Sequence, residues 1–548
     1  MEQRYCFPCG CSFPIIPEEN PPADVIPLLD FDSENIREDC AATWALLGKG
    51  LTKGVFQLES NLGKSWTKKL KPENINEISA LGAILRPGAL KSVDADGVSM
   101  TQHYCRRKNK EEEIQSYHPA IDSILKDSYG CLIYQEGAMA IAQGVAGFNL
   151  QEADSLRKSI GKKLASEMAK CKLLFIEGAK KAGILSDEQA AEVFSWIEKS
   201  QRYGFNRSHA TCYGVTGYES AYIKSHFPVQ FYTAWLLNAQ FKQDPMLEIN
   251  ELVNEAKLFD IVVEPPDLRQ LSPNFQTDRK KITFGLTDIK GVGDKQVEKL
   301  FESAQGVDLS AMDWFDFLVN FSDNLTSNVA TKFIQSGACR WLGDSRTKML
   351  AEYDIWASLT KPEKAWVKKN PSAERTLLSC LGPLARPKKE GGGAANKNRI
   401  SIINSQRQML ENPPTQLVDT PGYIAWLEED LMGISLTCSK IDGCYTPTVN
   451  CTCKEYIAGR DGYLVFGVVV GNVREVKTKK GKTPGQKMAF MTLSDHTCAI
   501  QDVVCFPETW RTYQSLLTEG NTVVIQADRD EKKGSDTLIL KQVFQASA

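Results

Sequence analysis

The sequence predicts a multidomain α+β protein, a mostly helical body followed by a small β-barrel. Three observations carry that prediction. From residue 35 to about 240, apolar residues recur at helical spacing, as in EQAAEVFSWIEKSQRYG (188–204). Residues 461–546 instead alternate apolar and polar positions: GYLVFGVVVGNVREV, MAFMTLSDHTCAIQDVVCF, NTVVIQADRD and DTLILKQVF give at least five strands between polar turns. A length of 548 residues with 42% hydrophobic content supplies several cores, enough for about three or four domains.

Charge and composition narrow the function classes. The formal net charge is −3, which argues against bulk attraction to nucleic acid and for local basic patches. No run of eighteen apolar residues occurs, and no charged-then-apolar leader opens the chain, so a cytoplasmic protein without a membrane partner is expected. The sixteen cysteines then read as reduced thiols or metal ligands rather than disulfides.

Residues 1–34 form a cysteine-containing, proline-rich leader. Cys6, Cys9 and Cys11 follow Cys-x2-Cys-x-Cys, half of a zinc knuckle, and a segment without its own core needs some other staple. Cys40 is the next cysteine along the chain. Asp30-Phe31-Asp32 is an Asp-x-Asp pair that could face metals on a strand. A solvated turn or helix start is the reading preferred for it.

Residues 35–260 hold the two most informative segments. ADSLRKSIGKK clusters Arg157, Lys158, Lys162 and Lys163 within two helical turns. QRYGFNRSHATCYG sets Tyr203, Phe205, Arg207 and His209 around Gly204 and Asn206. Fixed cations beside a flat ring on a tight turn suit a nucleoside triphosphate, the charge taking the phosphates and the ring the base. Each segment alone is better read as a solvated helix face or an ordinary loop, and it is the two together, with further motifs around them, that reverse this.

Residues 261–379 contain FGLTDIKGVGDKQVEKLFE, which predicts a helix-hairpin-helix. Backbone N–H groups at Ile289 to Gly293, with Gly291 and Gly293 in the turn, can cradle a DNA phosphate, and Lys290 and Lys295 add charge. Residues 380–460 begin with PLARPKKEGGGAANKNR and predict a flexible linker. Cys438, Cys444, Cys451 and Cys453 follow, a possible four-thiolate zinc set with non-standard spacing. Residues 461–548 predict an OB-fold. The basic loop of Lys477, Lys479, Lys480 and Lys482, with strand aromatics such as Phe466 and Phe490, suits single-stranded DNA, while packing on neighbours is the alternative.

Eight segments in one order carry a family resemblance: GVFQLES (54–60), ALGAILRPGAL (80–90), YHPAIDSIL (117–125), YGCLIYQEGAM (129–139), AGFNLQEADSLRKSIGKK (146–163), YGFNRSHATCY (203–213), VEPPDL (263–268) and FGLTDIKGVG (284–293). The chain resembles the bacterial replicative DNA polymerase III alpha subunits, closely over residues 26–345 and loosely beyond. The resemblance implies that residues 35–260 are polymerase fingers. It implies that Arg157, Lys158 and His209 contact the incoming triphosphate, and that Tyr203, Gly204 and Asn206 shape the pocket for base and sugar. Arg86 and Gln135 match motifs near that site. Lys158 stands where the family has a second arginine, and Gly137 where it has a glutamine.

The family's palm, with its carboxylates for two Mg²⁺ ions, precedes GVFQLES, and the segment holding Asp30 and Asp32 matches the linker after it. No catalytic residue is therefore expected in this chain. The resemblance implies the C-terminal portion of a split polymerase, of a kind natural to a bacteriophage. A separate palm-bearing chain would complete it, and it would be inactive alone. Its expected partners are that chain, primer-template and single-stranded DNA, deoxynucleoside triphosphate and a sliding clamp. Gln406, Met409 and Leu410 resemble the family's extended clamp-binding peptide. Two rivals remain open at this point: an accessory protein that holds DNA and clamp but no nucleotide, and a zinc-dependent scaffold.

Overall fold

Helical periodicity in the first half of the chain becomes helices joined by short turns. The computed structural model describes residues 4–15, 30, 32–91, 93, 94, 96–162, 165–200, 204–278, 280–393, 396–478, 484–530 and 537–546. The chain divides into two units, residues 1–228 and 229–548.

In the first unit a short antiparallel hairpin, β1 (Arg4–Cys6) and β2 (Ser12–Pro14), precedes α1 (Ala41–Gly48) and α2 (Ile75–Ile84). Helices α3 (Gln135–Ala146), α4 (Leu150–Lys162), α5 (Ala165–Ala182) and α6 (Asp187–Ser200) enclose one core, in which Ile141, Val145, Leu156, Phe175 and Phe194 are buried. Leu156 thus faces inward, as its helical register predicts, and leaves the adjoining Arg157 near the surface. The long α7 (Arg207–His226) packs on α2. Gly214 makes that crossing possible, because a Cβ there would stand 2.3 Å from Ser79 Oγ and 3.0 Å from the Ser79 backbone nitrogen.

The second unit opens on a small sheet. β3 (Val262–Glu264) runs parallel to β5 (Lys281–Thr283), and β4 (Gln276–Thr277) runs antiparallel to β5. Then come α8 (Asp294–Ala304), α9 (Ser327–Gln335) and α10 (Arg346–Ser358). The expected linker at 380–420 is corrected here. It contains much of α11 (Leu377–Leu384) and all of α12 (Lys397–Glu411). The glycine-rich run is a break between helices. Beyond it Asn396 caps α12 by accepting the Arg399 N–H at 3.0 Å. The cap restarts a helix that composition obscures, and Ile403 is fully buried.

After α13 (Pro421–Met432) comes the predicted barrel. β6 (Leu464–Lys477), β7 (Lys487–Ser494), β8 (Ala499–Cys505), β9 (Thr522–Arg529) and β10 (Leu538–Gln545) close in the order β10-β8-β7-β6-β9. The closing β10–β8 pair is parallel, and α14 (Pro507–Tyr513) lies between β8 and β9 in sequence. This is an OB-like barrel following a helical region, the predicted class. One expected feature differs: Phe466 is fully buried in the barrel core and offers no stacking face. Phe490 lies under the Arg474 guanidinium, 5.1 Å away.

A buried ion pair fastens α10 to α13. Arg346 Nη2 donates to Glu428 Oε1 at 2.6 Å, with side chains 5% and 0% exposed. Arg346 Nη1 donates to the Gln335 carbonyl, and Glu428 Oε2 accepts the N–H groups of Leu436 and Thr437. Each charge is met by further hydrogen bonds, the condition under which such a pair is tolerated. Removing one partner strands the other. Glu428→Gln should therefore lower unfolding free energy by about 3 kcal/mol or more, whereas Arg346→Met with Glu428→Leu should cost much less. Denaturant titration of the single and double variants checks this, and equal losses would contradict it.

Candidate functional site

Two chain segments lie side by side to build the site. The Gln135 N–H donates to the Phe205 carbonyl at 2.9 Å, and the Phe205 N–H donates to the Ile133 carbonyl at 3.1 Å, a parallel bridge between Tyr134 and Phe205. Gln135 Nε2 adds a bond to the Gly204 carbonyl at 3.3 Å. The start of α3 thus positions the turn that leads into α7.

Glu136 completes the join. Its Oε1 accepts from Asn206 Nδ2 at 2.9 Å and its Oε2 from the Arg207 N–H at 2.9 Å. Asn206 is the N-cap of α7, its Oδ1 accepting the His209 N–H at 2.8 Å. Arg207, Ser208 and His209 are exposed at that helix start, and its first turn carries no acid. The helix dipole therefore favours an anion there.

Two cationic or donor groups meet at one ring. The Arg86 guanidinium lies 3.7 Å from the Phe205 ring centroid, and the His209 ring packs edge-on to Phe205 at 5.4 Å. His209 also contacts Tyr213 at 4.2 Å, which in turn touches Phe56. Arg86 is exposed, and among the described residues no carboxylate pairs with it. Stacking fixes the guanidinium plane and leaves its N–H edge for a ligand. Arg207 reaches Asp127 at 3.4 Å.

The sequence-predicted residues are only partly united. Arg86, Gln135, Gly204, Asn206 and His209 gather in this one cluster. Arg157 and Lys158 are both ion-paired with Asp154, at 2.8 Å each. Lys163 and Tyr203 lie outside the described residues, as does the side chain of Lys162. Glu136 was missed as a site residue although it lies in the quoted YQE motif. Its signal, an acceptor for a helix start seventy residues later, exists only in the fold.

The hairpin forms as expected. The Val292 N–H donates to the Ile289 carbonyl at 2.9 Å. Gly291 sits at φ +76°, a conformation that strains other residues. Gly293 is the N-cap of α8. Lys295 is exposed, but Lys290 pairs with Asp430 at 3.1 Å. Lys477 is exposed at the end of β6, while Lys479, Lys480 and Lys482 lie outside the described residues. Gln406, Met409 and Leu410 sit inside α12 rather than in an extended strand, and Gln406 Nε2 donates to Ser358 Oγ at 2.5 Å.

The cysteines divide differently from the sequence reading. Cys9 and Cys11 converge with Cys40 and His226. Cys6 stays apart, exposed, with its thiol on the Arg4 carbonyl. Cys438, Cys444, Cys451 and Cys453 do not converge. Cys451 and Cys453 are buried in the barrel core, Cys444 borders another apolar cluster, and Cys438 donates to the Pro421 carbonyl. Their close sequence spacing is spent on different faces. Asp30 Oδ1 accepts the Asp32 N–H at 3.0 Å, a local turn of the kind preferred from the sequence.

Residues 24–183 match the bacterial DNA polymerase III alpha subunit finger domain, and residues 260–349 match a helix-hairpin-helix motif. The chain is similar to the DNA polymerase III subunit alpha of Pseudomonas aeruginosa, 32% identical with 92% of this chain and 42% of that protein covered. For the subunit of Aquifex aeolicus the identity is 30%, covering 92% and 39%. For that of Bacillus subtilis it is 30%, covering 89% and 40%. The chain thus spans about two-fifths of the length of these relatives. No helix among the described residues is long and apolar enough to cross a membrane.

The hairpin also generates a pH prediction. Asp288 directly precedes it. Burial pushes the Asp288 carboxyl up to about 7, against hydrogen bonds from the Phe275 and Gly285 backbone, and its Oδ2 has no partner. An unfolded aspartate titrates near 3.9. Stability from this group is therefore full below that value and is lost as pH rises through about 7. Asp288→Asn should stabilise the protein near pH 8, by on the order of 3 kcal/mol, and lose that advantage near pH 4. Urea unfolding at both pH values measures it, and a pH-independent effect would contradict the assignment.

Proposed function

Taking as premise that this chain carries the finger domain of the bacterial DNA polymerase III alpha-subunit family and is a portion of such a subunit, we propose that it binds the incoming deoxynucleoside triphosphate and primer-template DNA for template-directed synthesis. One observation supports this above the rest. Arg86 and His209 meet at Phe205, beside the capped start of α7, whose own first turn carries no acid, and Arg86 carries no ion pair among the described residues. Glu136 already serves the Asn206 amide and the Arg207 N–H, but the Arg86 guanidinium and the His209 ring have no carboxylate of their own among the described residues. A triphosphate supplies an anion for them, and its charge grows on the leaving oxygens as transfer proceeds.

Each residue then has a task. Arg86 and His209 hold phosphate oxygens, with the helix N-terminus behind them. Arg157 and Lys158 turn from Asp154 to the same phosphates when nucleotide binds. Glu136 and Gln135 keep the 204–206 turn in register, so that the donors are positioned before the ligand arrives. Mg²⁺, when bound, would neutralise charge on the phosphates and activate the primer hydroxyl. Asp30 and Asp32 do not fit it, since Asp30 closes its own turn. The carboxylates for it belong to a palm-bearing partner chain.

DNA is held by the hairpin at Ile289–Gly293 with Lys295, and by the barrel loop that begins at Lys477. These contacts are to phosphates and base faces, so binding is salt-sensitive and sequence-indifferent. Contact with a sliding clamp through Gln406, Met409 and Leu410 would require the end of α12 to unwind, and the proposed function does not use it.

Arg86→Ala and His209→Ala, assayed with the palm-bearing partner, should each cost about 2 kcal/mol of transition-state stabilisation, some thirtyfold in kcat/KM for nucleotide. Affinity for primer-template should stay within about twofold. Loss of DNA affinity with unchanged nucleotide use would reverse the assignment.

Without the palm-bearing partner the chain should bind DNA yet extend no primer. Primer-extension gels with and without that partner read this directly. Metal-dependent extension by this chain alone, abolished in Asp30→Ala with Asp32→Ala, would overturn the division of labour.

A further inference from the structure

We propose that Cys9, Cys11, Cys40 and His226 hold a structural zinc ion that fastens the leader hairpin to the C-terminal end of α7. Their ligand atoms all lie within 4.8 Å of one another. Cys9 Sγ is 3.2 Å and Cys40 Sγ 3.8 Å from His226 Nε2. A tetrahedral site with Zn–S near 2.3 Å and Zn–N near 2.0 Å places such atoms roughly 3.5–3.8 Å apart. Three sulfurs and one imidazole form the donor set that selects zinc among common divalent ions, and four protein ligands make a closed, structural site.

The surroundings are those of a built ligand set. β1 and β2 place Cys9 and Cys11 on a tight turn, where the Phe7 N–H donates to the Cys11 carbonyl at 2.9 Å and Gly10 adopts φ +82°. Cys40 is the N-cap of α1, where helix N–H groups favour a thiolate. His226 Nδ1 lies 2.9 Å from the Tyr222 carbonyl, an acceptor that requires the proton on Nδ1 and so leaves the Nε2 lone pair facing the sulfurs. The His226 ring is held between Phe7 at 4.4 Å and Tyr222 at 4.2 Å. The buried Tyr222 hydroxyl lies beside the Cys11 sulfur, where a metal-bound thiolate would accept its hydrogen bond.

On binding, three thiols release their protons to solvent, and zinc with three thiolates and a neutral imidazole carries one net negative charge. Arg37, whose Nε and Nη2 bind Asp39, reaches the turn through Nη1, which donates to the Gly10 carbonyl at 3.2 Å between the two hairpin cysteines. A two-stranded hairpin with three residues in each strand is marginal by itself in water. Zinc supplies the fixation that its small core cannot.

Metal content of the full-length purified chain tests this independently of nucleotide binding. Plasma mass spectrometry should find about one zinc per chain, falling below about 0.2 in Cys9→Ser, Cys40→Ser and His226→Ala. Cys6→Ser and Cys212→Ser should retain it, since both thiols are exposed and outside the cluster. Cobalt(II) substitution of the wild-type chain should give the visible spectrum of a tetrahedral thiolate site. That measurement needs no variant to fold. Wild-type protein with neither zinc nor that cobalt spectrum, or zinc lost equally from Cys6→Ser, would overturn the proposal.

Discussion

One carboxylate, Glu136, decides where the first unit's longest helix begins. It accepts both the Asn206 amide and the Arg207 backbone N–H, so α7 cannot shift along its axis without leaving a donor unmet. Everything at the start of α7 inherits that register: the cap on the His209 N–H, the Phe205 ring, and the guanidinium stacked on it. Glu136 also places a negative charge close to a group of positive donors. That charge holds the helix start in place while Arg86 and His209, turned toward Phe205, remain available to a ligand.

The two ends of α7 do different work. Twenty residues make a helix about 30 Å long. Its N-terminus presents donors to solvent, and its C-terminus enters a cluster of sulfurs and rings. Between them, Gly214 lets the backbone settle against Ser79. A helix fixed at its start by hydrogen bonds, at its middle by close packing and at its end by the stacking of His226 between Phe7 and Tyr222 has little freedom to bend or rotate. That rigidity is what an anion site of fixed geometry requires.

Much of this was legible in the sequence, for reasons that differ by region. Strand alternation marked the barrel because its inner face is almost wholly apolar. The motif at 203–213 pointed to the start of α7 because charge, ring and glycine are crowded into a few residues, and the residue cluster described there includes Gly204, Phe205, Asn206 and His209. Cys6, Cys9 and Cys11 were read together as candidate ligands, but the cluster that Cys9 and Cys11 join was not legible: Cys40 lies on another element and His226 is 217 residues beyond Cys9. Helix α12 was hidden by the glycines and lysines before it, since composition registers the break but not the Asn396 cap that ends it. Phe466 was read as a surface aromatic because alternation alone does not say which face of a closed sheet points inward.

The Arg346–Glu428 pair has a consequence for descent. The two residues lie 82 positions apart, each buried, each the other's counter-charge. Reversing one alone leaves two like charges in a dry interior, and neutralising one alone leaves a solitary ion there. Mutational drift at these sites is therefore barred step by step and open only as a joint change, so that two distant positions behave as one heritable character. A recombination breakpoint falling between them would be tolerated only where both parents carry the same solution.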